Sequence, residues 1–146
     1  IDGLNELKSM KIGKNSFNFY DTRCGSNCVI MNCDQLSEIH IGFQSFYWYE
    51  SFELKNLPSL ISIQLDDKAF CKCYSVVFES MNDWLTDEWD LTRLQSITLG
   101  SYALFGDHET KQWAELKMKS MNALIFTDQI FLLYLHSKEM VAISIG

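Results

Sequence analysis

The sequence contains a single proline among its 146 residues, so its loops are not stiffened by proline rings. It also has no excess of positive charge, because 12 lysines and arginines are set against 19 acidic residues, giving a net charge of −7. A nucleic-acid-binding surface needs basic groups to replace phosphate counterions, and an anionic membrane attracts the same groups. The composition therefore argues against both kinds of partner.

Long apolar runs are absent as well. The most apolar segment, ALIFTDQIFLLYL at 123–135, is shorter than the roughly 18 residues that a membrane-spanning helix requires. Asp128 and Gln129 interrupt it. We therefore predict no membrane insertion.

Catalytic motifs are missing too. The patterns G-x-S-x-G, H-E-x-x-H and the P-loop do not occur, and His40, His108 and His136 have no recurring partner residue. We predict a protein that is not an enzyme and that needs no cofactor. With 47% hydrophobic residues, however, the chain can bury a real core, and its length suits one domain.

A seven-residue pattern, L-x-x-I-x-I-G with conservative exchanges, recurs along the chain. Four residues after its last position comes an apolar anchor (Phe17, Phe46, Phe70 or Leu104), preceded by a serine or alanine. Each copy opens what we call a unit, so that units start near residues 7, 36, 60, 94 and 140. The copies are LKSMKIG (7–13), LSEIHIG (36–42), LISIQLD (60–66), LQSITLG (94–100) and MVAISIG (140–146).

A second pattern, apolar-x-apolar-x-(Asn/Ser)-apolar, follows within the units. Its copies are CVIMNC (28–33), FELKNL (52–57), VVFESM (76–81) and LKMKSM (116–121). Both patterns alternate with period two, which is typical of short half-buried strands. Such strands are unstable alone, but stacked units would pair their edges and bury one continuous core.

Stacking of this kind predicts two parallel rows of residues, one through each pattern. The recurring glycine is expected to adopt a positive φ at a corner, and the recurring Asn32, Asn56, Ser80 and Ser120 are expected to bond turn amides. Insertions at 82–93 and 122–139 are the best candidates for short helices. The first row is Ile12, Ile41, Leu65, Leu99 and Ile145, and the second is Ile30, Leu54, Phe78 and Met118.

The motif L-x-x-I-x-I-G with the following (S/A)-F, and NLPSL leading into the next strand, resembles leucine-rich repeats of the BspA-like surface-antigen type. The resemblance covers residues 7 to 146 and implies a mostly β solenoid of about four and a half turns, with short helices in the inserted loops. It also implies protein binding or adhesion at a cell surface or outside the cell; a cytoplasmic location stays open. Gly146 ends the chain inside a fifth unit, so we expect either an excerpt of a longer array or an end that docks on another subunit.

In the resembled family, the outward face of the first row is the binding surface. Exposed aromatic residues of the segment 43–52 can add a protein or glycan contact, although packing against the next unit is the plainer interpretation. The binding residues predicted from the two features are Lys11, Glu38, His40, Gln64, Thr98, Tyr47 and Trp48. Ser144 is expected to continue the row of Lys11, His40, Gln64 and Thr98, and the residues beside that row are Ser9, Glu38, Ser62, Ser96 and Ala142.

The five cysteines allow three interpretations. Cys24, Cys28, Cys33, Cys71 and Cys73 could in principle hold zinc, but three of them replace apolar residues of other units, which favours packing in the core. A disulfide, either Cys24 with Cys28 or one that involves Cys71, remains an alternative. We predict no metal site.

The insertion NDWLTDEWD (82–90) offers acidic ligands for calcium and two tryptophans, Trp84 and Trp89, for a sugar. It lacks the regular spacing of a calcium loop, and capping of a helix with inward tryptophans explains it more simply. The main functional prediction is therefore a non-catalytic scaffold for protein recognition or adhesion. Two alternatives are a structural subunit that assembles through uncapped ends into a filament or shell, and a glycan-binding surface module.

Overall fold

In the computed structural model the described residues are 1–18, 25–79, 93–107, 112–113, 115–118 and 143–145, and they contain strands but no α-helix. The helix candidates at 82–93, apart from Arg93, and at 122–139 lie outside these residues. The strands are β1 (Ser9–Ile12), β2 (Asn27–Met31), β3 (Glu38–Ile41), β4 (Ser51–Lys55), β5 (Ser62–Leu65), β6 (Ser75–Glu79), β7 (Ser96–Leu99), β8 (Gly106–Asp107), β9 (Gln112–Trp113), β10 (Glu115–Met118) and β11 (Ile143–Ile145).

The first sheet consists of the strands that begin the first four units. Its order is β1-β3-β5-β7, and each neighbouring pair is parallel. The register places equivalent positions side by side and confirms the predicted first row for these four units. That row is Ile12, Ile41, Leu65 and Leu99, and the row beside it is Met10, Ile39, Ile63 and Ile97.

The second sheet has the order β11-β10-β6-β4-β2 and is also parallel throughout. Ile30, Leu54, Phe78 and Met118 lie opposite one another in successive strands, which confirms the second row. From β1 to β7 the chain therefore alternates between the two sheets, one strand at a time. The remaining pair, β8 and β9, is antiparallel.

The prediction for the fifth unit is wrong. β11 pairs with β10 in the second sheet, so Ile145 lies opposite Met118 and Ser144 opposite Lys117, rather than beside Leu99 and Thr98. The physical reason is that the apolar-x-apolar pattern suits an inward face in either sheet. Alternation alone therefore does not decide which sheet the strand joins.

One buried cluster joins the inward side chains of both sheets. Ile39 and Ile63 of the first sheet and Leu54 and Phe52 of the second are at most 1% exposed. Short β-strands alternate their side chains, so each strand from β1 to β7 packs two apolar groups in or against this core and turns the alternate residues outward. Removal of this apolar surface from water is the main favourable term that holds the sheets together.

The turns that follow the four strands of the first sheet have the same backbone geometry. The apolar anchors Phe17, Phe46, Phe70 and Leu104 have φ values of 52°, 52°, 52° and 53°, in the left-handed region. The amide of Phe46 donates to the carbonyl of Ser16, and that of Phe70 to the carbonyl of Ser45. The rings of Phe17, Phe46 and Phe70 are stacked with centroids 4.8 Å apart at each step. Cross-unit bonds and stacking therefore stabilise a backbone conformation that is unusual for phenylalanine.

The role predicted for the recurring glycine is wrong. Gly13, Gly42 and Gly100 do not have a positive φ; the turn residues around them do. A Cβ on Gly42 would lie 2.8 Å from the carbonyl carbon of Gly13, and a Cβ on Gly100 would lie 2.6 Å from that of Asp66. Glycine is therefore needed at positions 42 and 100, because the backbones of successive units approach closely there.

The recurring asparagines also act differently from the prediction. Asn32 and Asn56 have φ values of 54° and 49°, a region that asparagine tolerates better than most residues. Their side chains bond each other: Asn56 Nδ2 donates to Asn32 Oδ1 at 2.8 Å, and Asn32 Nδ2 donates to Asp2 Oδ1 at 2.8 Å. They form a ladder between units. Ser80 and Ser120 lie outside the described residues.

Candidate functional site

The outward side of the first sheet is the candidate binding surface, and we call it the first-sheet face. Because side chains alternate along a strand, the residues between the buried rows project away from the core. Lys11, Glu38, Gln64 and Thr98 are exposed, and His40 is half-buried. The register aligns Lys11, His40, Gln64 and Thr98 in one row, with Ser9, Glu38, Ser62 and Ser96 in the row beside it.

A carboxylate at the end of β5 fixes two side chains of this face. Asp66 Oδ1 accepts a hydrogen bond from Gln64 Nε2 at 3.0 Å and lies 3.1 Å from His40 Nε2. Partial burial by itself raises the pKa of Asp66, but the hydrogen bonds from Gln64 and His40, with the charges of His40 and Lys11, bring that pKa below its ordinary value. Asp66 is therefore anionic at neutral pH and holds His40 and Gln64 in place.

A shallow groove of about 410 Å³ adjoins this cluster. Phe43 forms one side and is 39% exposed, which leaves an apolar ring open to a partner. The groove is both apolar and acidic, a combination that suits an amphipathic side chain. Its lining is Phe43, Gln64, Leu65, Asp66, Asp67, Thr98, Leu99 and Gly100.

Tyr47 and Trp48 lie in the turn after β3 and do not line the groove. Both are half-buried; their rings meet edge to face with centroids 4.9 Å apart, and Lys72 Nζ lies 5.8 Å above the Trp48 ring. Burial, followed by a hydrogen bond with Cys71, raises the pKa of the Tyr47 hydroxyl. The two predicted aromatic residues therefore form a separate packed pair.

Sequence reasoning missed Asp66 and Asp67 as part of the site. Asp66 stands in the third unit where the first, second and fourth units have glycine. That exchange was the available signal, since a carboxylate at a turn position where the other three units have no side chain indicates a local function or a local partner. The structure shows its partners, Gln64 and His40.

The described cysteines are free thiols. Cys33 and Cys73 have no exposed surface, and burial raises the pKa of Cys73 to about 12 and that of Cys28 to about 11. These properties agree with packing as the role of Cys33 and Cys73. Within the described residues no group of three or more His, Cys, Asp or Glu side chains is arranged to hold a metal ion. Cys24 lies outside those residues.

The acidic and aromatic insertion at 82–90, with Trp84 and Trp89, lies outside the described residues, so the predictions made for calcium and sugars there have no structural counterpart. Among the residues with a described placement, no helix is long and apolar enough to cross a membrane. In comparisons with family models, curated proteins and solved structures, no match to this chain was found.

Proposed function

We propose that the chain is a non-catalytic recognition or adhesion module. Its two sheets would be the sides of a solenoid of the leucine-rich-repeat type, and the first-sheet face would bind a protein partner at a cell surface or outside the cell. The observation that carries the proposal is the register of the first sheet, which aligns one outward side chain from each of four units in a single row.

The chemistry of this face favours a protein ligand. Its outward residues are mostly polar and their strands are backed by a buried core, so the side chains project from a rigid support. Phe43 adds an exposed ring beside the fixed carboxylate of Asp66. Protein interfaces typically combine a few aromatic anchors with a polar, hydrated rim.

Selection from a random peptide library displayed on phage tests the proposal, because the selection works without an identified partner. Peptides selected on the wild-type protein would be measured against Gln64→Arg and Thr98→Arg, which place a large cation on the first-sheet face. The matched control is Gln35→Arg, an exposed glutamine in the turn after β2. We expect the two face variants to weaken selected peptides about tenfold or more, and the control to change their affinity less than twofold.

Two results would contradict the proposal. Selected peptides could bind the face variants as well as the wild type, which would place recognition elsewhere. Alternatively, the protein could grow in size with concentration during gel filtration, which would support assembly into a filament or shell instead.

A further inference from the structure

The groove of the first-sheet face contains two carboxylates that its other lining groups do not neutralise. Asp66 and Asp67 line it together with the ring of Phe43, and none of its described lining residues is a lysine, arginine or histidine. Lys11 acts electrostatically on Asp66 but does not line the groove. Nor does Lys68, the residue after the two aspartates. The charge within the groove is therefore negative.

Both carboxylates are held in place through one oxygen atom. Asp66 Oδ1 makes the contacts with Gln64 and His40. Asp67 Oδ1 accepts a hydrogen bond from the Ser101 amide at 2.8 Å. Within the described residues, no donor bonds the Oδ2 atom of either aspartate. Each Oδ2 atom can therefore accept a hydrogen bond from a partner while the bonds at Oδ1 stay in place.

Gly100 allows the Asp67 carboxylate to lie close to the backbone of the fourth unit. A Cβ on Gly100 would lie 2.5 Å from Asp67 Oδ1, which is closer than such atoms approach, so the carboxylate needs a glycine at this position. The close approach and the bond from Ser101 together fix the position of Asp67. A charged group that is already fixed loses little conformational freedom when a ligand binds to it.

An apolar surface lies beside these charges. Phe43 forms one side of the groove and is 39% exposed, and the face of an aromatic ring attracts a cation. The groove volume of about 410 Å³ is at the lower end of the range for small-ligand sites. The groove therefore suits one long cationic side chain better than a helix or a large ligand.

We propose that this groove binds an arginine side chain of the protein partner. The inference rests on the proposed function, because the groove is part of the first-sheet face. A guanidinium group is planar, stacks on aromatic rings and carries several N–H donors, so a single group can contact Phe43 and bond the carboxylates of Asp66 and Asp67. The ammonium group of lysine is a compact charge that does not stack in this way, so lysine should bind more weakly.

A defined probe tests the inference without an identified partner. The tripeptide acetyl-GRG-amide, whose only charge is the guanidinium, would be titrated into ¹⁵N-labelled protein and followed by NMR chemical shifts. We expect a Kd of about 10 mM or tighter, with shifts concentrated at the amides of Phe43, Asp67, Gly100 and Ser101. Acetyl-GKG-amide should bind at least about threefold more weakly, and the citrulline tripeptide, of similar shape but uncharged, at least about tenfold more weakly.

Variants of the protein locate the contact. Asp67→Asn should weaken binding of acetyl-GRG-amide about fivefold, whereas Asp34→Asn, which removes the same charge in the turn after β2, should change it less than about twofold. Phe43→Ala should weaken binding about threefold, whereas Tyr102→Ala, at an exposed aromatic residue that does not line the groove, should change it less than about twofold. All four positions are exposed, so circular dichroism should show unchanged folding.

Any of four results would overturn the inference. They are no shift with acetyl-GRG-amide up to about 100 mM, equal binding of the citrulline tripeptide, equal binding by the Asp67→Asn and Asp34→Asn variants, and shifts that lie outside the groove. If peptides from the phage selection still depended on the first-sheet face, the proposed function would stand without the preference for arginine. Arginine binding in the groove, with no selected peptide that depends on the face, would overturn the proposed function instead.

Discussion

The buried hydroxyl of Ser45 joins two units of the first sheet. Its Oγ donates a hydrogen bond to the Gly13 carbonyl at 2.6 Å and accepts one from the Ser16 amide at 3.1 Å. Ser45 has no exposed surface, so no water can replace these bonds. A single side chain therefore satisfies two backbone groups of the preceding turn.

Replacement of Ser45 by alanine should lower the free energy of unfolding by about 1–3 kcal/mol, because two partly buried hydrogen bonds, to the Gly13 carbonyl and from the Ser16 amide, would be lost. Urea unfolding followed by circular dichroism measures the change. Ser16→Ala is the matched control: it is the equivalent position one unit earlier, its hydroxyl bonds no described residue, and we expect a change below about 0.5 kcal/mol. Equal losses in both variants would contradict this role of Ser45.

Gly42 and Gly13 occupy the same position in successive units but should respond differently to alanine. A Cβ on Gly42 would lie 2.8–2.9 Å from backbone atoms of Ile12, Gly13 and Lys14, whereas a Cβ on Gly13 meets only Ser16 Oγ at 3.9 Å. We expect Gly42→Ala to destabilise the fold by about 1–3 kcal/mol. Gly13→Ala should be neutral or stabilise it by up to about 1 kcal/mol.

Thermal unfolding of the two glycine variants compares them directly. A stable Gly42→Ala protein would show that successive units are farther apart than the structure places them. Loss of stability in Gly13→Ala would show instead that this glycine is needed for its own conformation.

The strands and rows of the first four units could be predicted from the sequence. Period-two alternation determines which side chains point inward. A shift of the strand register by one residue would turn Lys11 or His40 into the core. The repeat then sets the register, because equivalent inward residues such as Ile39, Ile63 and Ile97 pair best with each other. The same alternation predicted that Lys11, His40, Gln64 and Thr98 point outward in one aligned row.

Features that depend on contacts between units could not be predicted in this way. Local pattern does not show that β11 pairs with β10, since both sheets accept the same alternation. It does not show that glycine at position 42 relieves crowding rather than permitting a positive φ. The link between His40 and Asp66 joins residues 26 positions apart, so the groove beside it appears only in the folded chain.

A carboxylate at position 97 should unfold the protein. Ile97 is 3% exposed in the inward row of β7, so Ile97→Asp would bury a charge without a partner and cost about 3–5 kcal/mol. The adjacent Thr98 is exposed, and Thr98→Asp should change the melting temperature by little. An unchanged melting temperature for Ile97→Asp would show that residue 97 faces water.

The buried thiols should resist alkylation in the folded protein. Since burial raises the pKa of Cys28 to about 11 and that of Cys73 to about 12, the thiolate fraction at pH 8 is on the order of one in a thousand and one in ten thousand. We expect iodoacetamide at pH 8 to modify Cys73 only after urea is added, as read by peptide mass spectrometry. We expect the same of Cys33, because its side chain has no exposed surface. Rapid modification of Cys73 without urea would contradict its placement in the core.

Contacts between isoleucine methyl groups test the central claim, that each first-sheet strand lies beside its own equivalent in the next unit. In protein labelled at isoleucine δ1 methyls and assigned by Ile→Val variants, nuclear Overhauser spectra should connect Ile39 with Ile63 and Ile63 with Ile97. Neighbouring strands are about 4.8 Å apart, so Ile39 and Ile97, separated by two steps, should show no direct contact. Absence of either neighbouring contact, or a strong contact between Ile39 and Ile97, would contradict the stacked arrangement.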